Sequence, residues 1–249
     1  MVSQKLKILF IIPSLEEGGA ERVLVNLLKR FDYSRFRVDL FVVEKRGIYF
    51  DELPSQVEVF TLFNNEFLCK IFNGLHVRFN FNFIYRWLTY RKIRGHYDAG
   101  ISFLDSGYTD ILFFLKSRIT RKISWVHSSY QTYRNFERFY TGAYKKRVIK
   151  HRYSKLDTIV FVSNDSKMEF EGIFGHFPSM KVIYNMIDAY GVKVKAEAPV
   201  SEPFDSNVTN IIALGVLLPV KGYDKLIGAA RLLKDDGIRF RIRILGNGD

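Results

Sequence analysis

Apolar and polar positions alternate in blocks along this chain. KILFIIP, residues 7–13, is almost continuously apolar, the pattern of a parallel strand covered on both faces. Ala20, Val23, Leu24, Leu27 and Leu28 then recur at helical spacing and share one face. RFRVDLFVVE (35–44), QVEVFTLF (56–63), YDAGISF (97–103), RKISWVH (121–127), DTIVFVS (157–163) and KVIYN (181–185) read as six more strands. Between them, FNFIYRWLTYRKIRG (81–95) predicts a helix ending at Gly95, with Lys and Arg in its last turns. SGYTDILFFLKS (106–117) predicts a helix with a polar start. Residues 131–156 form a long basic helical stretch interrupted near Gly142, and the NDS at 164–166 caps and opens another helix.

Strands alternating with helices predict an α/β fold with a doubly wound parallel sheet, complete over residues 1–188. Residues 189–207 have little apolar periodicity, prolines and scattered charge, and read as a linker. The alternation restarts over 208–249, with NIIALGVLL as strand, GYDKLIGAARLLKDDG as helix stopped at Gly237, and RFRIRILGNGD as strand. A single β-α-β cannot bury both faces of its sheet. It either docks on the first domain or opens a second one that is incomplete.

Composition adds bounds. Of 249 residues 47% are hydrophobic, so a sizeable core is available and disorder is not expected. The single cysteine, Cys69, allows no internal disulfide framework and fits a reducing, cytoplasmic compartment. No apolar run approaches the roughly 18 residues that a membrane-spanning helix needs. The net charge of +12 and aromatic content of 16% fit nucleic acid, an anionic membrane surface or phosphorylated substrates.

The loop after the first strand, PSLEEGGAER, carries the first candidate chemistry. Ligands of open α/β sheets sit beyond the carboxyl ends of the strands. Gly18 and Gly19 let backbone approach a ligand, and the helix start offers N–H groups to a phosphate or a sugar hydroxyl. A plain tight turn explains the same residues. A dinucleotide site would need G-x-G-x-x-G, which is absent, although Glu44 ends the second strand where an acid would hold a ribose.

IPSLEEGGAERVLVNLL, SWVHSS, VFVSNDSK, VIYNMID and ALGVLLPVKGYDKLIGAARLL…RIRILGNGD occur in that order. Together they resemble the GT-B-fold glycosyltransferases of family 4, which retain anomeric configuration and use nucleotide sugars. The resemblance spans nearly the whole chain. It implies two Rossmann-like domains facing a cleft, the first (1–188) mostly for acceptor, the second (here 208–249) for donor. It implies a nucleotide-sugar donor, a saccharide or lipid-linked saccharide acceptor, a role in bacterial surface polysaccharide synthesis, and no cofactor or essential metal. By the same resemblance Gly18 and Gly19 lie near donor phosphates and acceptor, and His127 faces the transferred sugar. Asp105 and Ser106 fall on the acceptor side. Lys221 holds the donor diphosphate, where a fixed cation stabilises charge growing on the leaving group. Gly215, Gly246 and Gly248 bring backbone near the nucleotide. For His127 and for Lys221, a satisfied strand-end histidine and a solvated loop lysine remain the bland alternatives.

Two departures stand out. Val216 occupies the place where the family has an arginine paired with the lysine. The family's two glutamates, eight positions apart, would fall beyond residue 249. A truncated, non-catalytic acceptor- or membrane-binding relative is therefore the rival expectation. Residues 64–94 interleave Phe67, Phe72, Phe79, Phe81, Phe83, Tyr85 and Trp87 with Lys70, Arg78, Arg86, Arg91, Lys92 and Arg94. Some of these aromatics belong to the core, and the rest suit an anionic bilayer surface on the inner face of the membrane, as does the stretch 130–155. No nucleic-acid module is recognisable. An unfinished second sheet would leave a strand edge open to self-association.

Overall fold

The computed structural model describes residues 4–79, 82–105, 107–127, 129–130, 143–200 and 202–248. The chain divides into two compact units, Met1–Asp188 and Ala189–Asp249.

The first unit is built on seven strands: β1 (Leu6–Ile12), β2 (Phe36–Glu44), β3 (Glu58–Phe63), β4 (Tyr97–Ser102), β5 (Ile119–Val126), β6 (Thr158–Phe161) and β7 (Met180–Val182). All pair in parallel, in the order β3-β2-β1-β4-β5-β6-β7. The order runs outward from β1 in one direction and from β4 in the other. The crevice between the carboxyl ends of β1 and β4 is thus the topological switch point, where open α/β sheets bind ligands.

The helices are α1 (Gly19–Lys29), α2 (Glu66–Phe79), α3 (Phe83–Lys92), α4 (Asp110–Phe114), α5 (Ala143–Tyr153) and α6 (Asn164–Phe174). Alternate residues of each strand feed opposite layers. Leu9 and Ile11 join Phe41, Val43, Tyr85 and Ile111 in one layer. Phe10 and Ile12 join Leu24, Leu28, Val38 and Leu40 in the other, under α1. A third cluster packs Phe161, Phe170 and Phe174 against Tyr130 and Tyr153.

The second unit contains α7 (Ala189–Ala196), β8 (Thr209–Leu214), α8 (Tyr223–Asp235) and β9 (Phe240–Leu245), with β8 and β9 paired in parallel.

Several elements differ from the sequence reading. α2 has no counterpart there. Part of the expected linker is the helix α7. The cap of α6 is Ser163, whose hydroxyl accepts the Ser166 N–H at 3.1 Å, so Asn164 and Asp165 lie inside the first turn. The eighth strand is shorter than NIIALGVLL because Gly215, at φ 147°, turns the chain away. The expected helical stretch 131–142, with Gly142, lies outside the described residues. No helix among the described residues is long and apolar enough to cross a membrane.

Candidate functional site

Three loops meet the switch point: the one after β1 with the glycine pair, the one after β4 with Asp105, and the end of β5 with His127. The loop after β1 is pinned from β2. Leu15 N–H donates to the Arg46 carbonyl at 2.8 Å, and Glu44 N–H donates to the Pro13 carbonyl at 2.9 Å. Arg46 also pairs with Glu16 at 2.8 Å. Gly47, at φ 124°, passes so close that a Cβ there would stand 1.9 Å from the Leu15 carbonyl. Only glycine fits that position.

Gly18 is the N-cap of α1, with extended backbone and no side chain to cap it. The space beside it is taken by the Glu21 carboxylate, which lies 2.0 Å from where a Gly18 Cβ would stand. Burial raises the Glu21 carboxyl above the usual range, and the nearby Glu16 adds to the shift. Around Gly19, by contrast, there is open space. The Glu21 carboxyl beside the helix start can accept from a hydroxyl donor, while the Glu16 charge is matched by Arg46.

Beyond β4, the Phe103 N–H donates to the Ile11 carbonyl of β1 at 2.9 Å. Its ring lies 4.6 Å from the His127 imidazole and 5.0 Å from Trp125. His127 follows β5 directly and is half-buried among these rings. Its Nε2 is enclosed and has no hydrogen-bond partner among the described residues. Burial pushes its pKa down to about 4, so the ring is neutral at pH 7.

Asp105 follows two residues after Phe103, and its carboxylate is enclosed. The Tyr130 hydroxyl donates to Oδ2, and the Tyr153 hydroxyl lies 3.5 Å from the same oxygen. The two hydroxyls are themselves 2.7 Å apart. The nearby peptide N–H groups of Asp105 itself and of His127 also favour its charged form. Burial outweighs these donors and raises its pKa to about 7. The sequence assigns Asp105 to an acceptor, and the structure places it among protein donors. Ser106 lies outside the described residues. Tyr130 and Tyr153 carry no local signal that joins them to Asp105, since they stand 25 and 48 positions away.

In the second unit, the loops after β8 and β9 touch backbone to backbone. Gly215 N–H donates to the Leu245 carbonyl at 3.0 Å, and a Cβ on Gly246 would stand 1.8 Å from the Gly215 carbonyl. The Tyr223 hydroxyl donates to that carbonyl at 2.9 Å. Gly248 lies against Leu217, 3.0 Å from the Leu217 Cβ by the same construction. Close packing thus explains glycine at 246 without a ligand. Lys221 ends a 3-10 turn, Pro219–Lys221, and its Cε lies 3.7 Å from a virtual Gly215 Cβ. It is exposed and has no ion pair among the described residues. Val216 is also exposed. The sheet brings Gly18, Gly19, Asp105 and His127 to one edge of the first unit. Gly215, Lys221, Gly246 and Gly248 gather in the second.

Of the aromatics in 64–94, Tyr85 is buried and Phe72 stacks on Phe63 with centroids 5.4 Å apart. Phe67, Phe83, Trp87 and Tyr90 are exposed, with Arg91 over the Trp87 ring at 5.0 Å. Phe81 lies outside the described residues. A cavity of about 640 Å³, lined by Lys116, Lys122, His151 and Lys155 among others, opens at the amino ends of β5 and β6, away from His127. Among the described residues no group of three or more His, Cys, Asp or Glu could hold a metal ion.

The chain is similar in structure to sucrose-phosphate synthase from Thermosynechococcus elongatus, with a TM-score of 0.63, 11% identity, and 98% of this chain and 63% of that one covered. It therefore spans less than two thirds of that structure's length. It is also similar to a TarM mutant of S. aureus solved with fondaparinux, alpha-GlcNAc-glycerol and UDP, with a TM-score of 0.56, 10% identity, and coverage of 98% and 73%. No curated protein matches it by sequence. At these identities the likeness speaks for the fold, which is of the GT-B type. The Glycosyltransferase Family 4 profile matches residues 17–189, from the glycine loop through β7, and so takes in every candidate residue of the first unit but not Gly215, Lys221, Gly246 and Gly248 of the second. The chain belongs to Glycosyltransferase Family 4.

Proposed function

We propose that this chain serves a glycosyl transfer, with retention, from a nucleotide sugar to a saccharide acceptor that is lipid-linked and destined for bacterial surface polysaccharide. The observation that carries the reading is His127: an enclosed imidazole nitrogen, without a hydrogen-bond partner among the described residues, at the carboxyl end of β5 inside a Glycosyltransferase Family 4 domain. In the transfer, the acceptor oxygen bonds to the anomeric carbon, the bond from that carbon to the diphosphate oxygen breaks with its electron pair on the diphosphate, and the acceptor hydroxyl's proton passes to that departing oxygen. A ring with a pKa near 4 is a weak base at pH 7. His127 therefore acts as a neutral hydrogen-bond partner of the sugar.

The acid beside Gly18 is one reason to place acceptor hydroxyls, rather than donor phosphates, at that loop. In the second unit the unpaired Lys221 beside Gly215 takes the donor diphosphate, without an essential metal. Gly246 and Gly248 line the nucleotide. Exposed Phe83, Trp87 and Tyr90 beside Arg86, Arg91 and Lys92 suit attachment to an anionic membrane surface from the cytoplasmic side.

The test is transfer and donor cleavage with nucleotide sugars, wild type against His127→Ala. A loss of roughly 10- to 100-fold in kcat is expected for one transition-state hydrogen bond. Unchanged turnover sinks the assignment. Val216 in place of the second cation favours a rival reading, a relative that binds acceptor or membrane without turnover. Donor binding that survives Lys221→Ala unweakened, with no cleavage in wild type, supports that rival.

A further inference from the structure

We infer that the cleft at the amino ends of β5 and β6 is an anion site for a phosphate group, that of an anionic phospholipid headgroup, at the opposite end of the sheet from His127. The choice of a lipid as the source of that phosphate rests on the reading of α3 as facing a membrane.

The cleft has two adjoining lobes. The larger, of about 640 Å³, is lined by Lys116, Lys122, Arg152 and Lys155 and by the acids Asp110 and Asp157. The smaller, of about 400 Å³, shares Phe114 and Lys116 with it and adds Arg86 and Tyr90 of α3. The walls are tied to one another. Arg152 of α5 holds Asp110 of α4 through contacts of 2.5 and 2.8 Å. The Lys122 N–H of β5 donates to Asp157, just ahead of β6, at 2.7 Å. Arg118, in the 3-10 turn Lys116–Arg118, donates to the Tyr90 carbonyl at 2.6 Å and lies over the Tyr90 ring. A cleft framed in this way by α3, α4, β5 and α5 is formed before any ligand arrives.

Charge decides what fits. Asp110 is taken by Arg152, and Asp157 already accepts a peptide N–H. Arg86, Lys116, Lys122 and Lys155 have no ion pair among the described residues. Lys122 gives one ammonium proton to the Ile119 carbonyl at 3.0 Å, which leaves two. Like charges around one cavity repel, and a bound anion relieves that repulsion. Lysines hold phosphate as point charges. The floor between them is apolar, with Phe113, Phe114 and Val148. Residues 83, 86, 87 and 90 share one arc of α3, so the wall formed by Arg86 and Tyr90 continues into exposed Phe83 and Trp87. An inorganic ion would use the cations alone. An amphiphilic phosphate uses the cations, the apolar floor and the aromatic arc together.

The test uses the full 249-residue chain labelled with ¹⁵N-lysine, each amide being identified by its loss in Lys116→Gln, Lys122→Gln or Lys155→Gln. Short-chain phosphatidylglycerol, kept below the concentration at which it forms micelles, should shift the amides of Lys116, Lys122 and Lys155 and leave that of Lys181, on β7, in place. Inorganic phosphate should shift them less. Equal shifts with inorganic phosphate overturn the lipid source, and no shift with either compound overturns the anion site. On vesicles of phosphatidylglycerol and phosphatidylcholine in equal parts, Lys116→Gln and Lys155→Gln should each weaken binding about fivefold. Both residues are exposed, so neither substitution disturbs the core. Vesicle binding that survives the two together but is lost in Phe83→Ser with Trp87→Ser overturns the cleft as the site and leaves the membrane reading standing. Shifts at the three lysines without vesicle binding keep the anion site and sink its lipid source. No nucleotide sugar enters either arm, so failure here is separable from failure of the glycosyl-transfer reading, which the His127→Ala assay tests.

Discussion

The two units use the same β-α-β grammar with opposite outcomes in burial. In the first, seven strands layered by helices drive Leu9, Ile12, Leu24, Phe41, Phe103, Phe161 and Phe170 to within 1% of complete burial. In the second, two strands and their helix bury no described residue fully, and Leu214, Ile227, Leu232 and Leu245 remain 73, 63, 66 and 52% exposed. The local sequence is as apolar in both. The difference lies in layers: a strand needs neighbours on both edges and cover on both faces before its apolar side chains leave water. Helix and strand form here from short-range pattern, while burial depends on how many such elements join.

The sharpest way to break this comparison is truncation in each unit. Phe170→Ala should cost about 3–5 kcal/mol, because five aromatic rings surround it. Leu232→Ala should cost no more than about 0.5 kcal/mol. Both tryptophans, Trp87 and Trp125, lie in the first unit, so urea unfolding followed by their fluorescence reads the first variant, and circular dichroism reads the second. Equal costs would refute the account of layers.

Glycines supply a second contrast. Gly47→Ala drives a Cβ into the Leu15 carbonyl at positive φ and should cost about 1–3 kcal/mol. Gly19→Ala meets nothing within 4 Å and should leave urea midpoints unchanged, so any loss of ligand binding there is a direct effect. Gly246→Ala tests the second unit in the same way: faster hydrogen exchange at the β8 and β9 amides is expected, since the Gly215 carbonyl stands in the way.

The buried titratable groups of the first unit predict opposed pH dependences. Asp105 has its native pKa raised from 3.8 to about 7. The native state binds the extra proton, so its contribution is complete below about 4 and is lost as pH climbs to about 7. His127 has its native pKa depressed from 6.5 to about 4, so its contribution is present above 6.5 and lost as pH falls toward 4. Asp105→Asn should therefore raise stability at pH 8 relative to pH 4, and His127→Gln should flatten the acid loss. Urea midpoints across pH 4–8 check both signs, and a reversed sign for either refutes its assignment. The smallest effect is expected at the surface. Glu52, held down to about 2 by Arg22 and Lys29, is more than a third exposed. Glu52→Gln should cost under about 1 kcal/mol, and 1 M salt should abolish the difference.

The sheet was legible because its strands are apolar runs bounded by turn residues, as in KILFIIP and DTIVFVS. α2 was not, since Phe67, Leu68 and Ile71 stay exposed and give no single apolar stripe. α7 was not, since YGVKVKA alternates like a strand while all of its residues but Gly191 are exposed. At the site, Gly18 and His127 could be picked out because each adjoins a strand end. The environment of Asp105 could not, because its side-chain partners Tyr130 and Tyr153 come from two distant places in the chain.

Gly47 never needs to meet a ligand, yet its bare α-carbon is the template against which the Leu15 peptide is moulded. The contour of the rim that Gly18 and Gly19 present is therefore inherited from the far end of β2, one strand further out. Reshaping this rim by varying residues 13–19 alone would work against a fixed mould. Variation paired across 45–49 and 13–19 would recast both halves together.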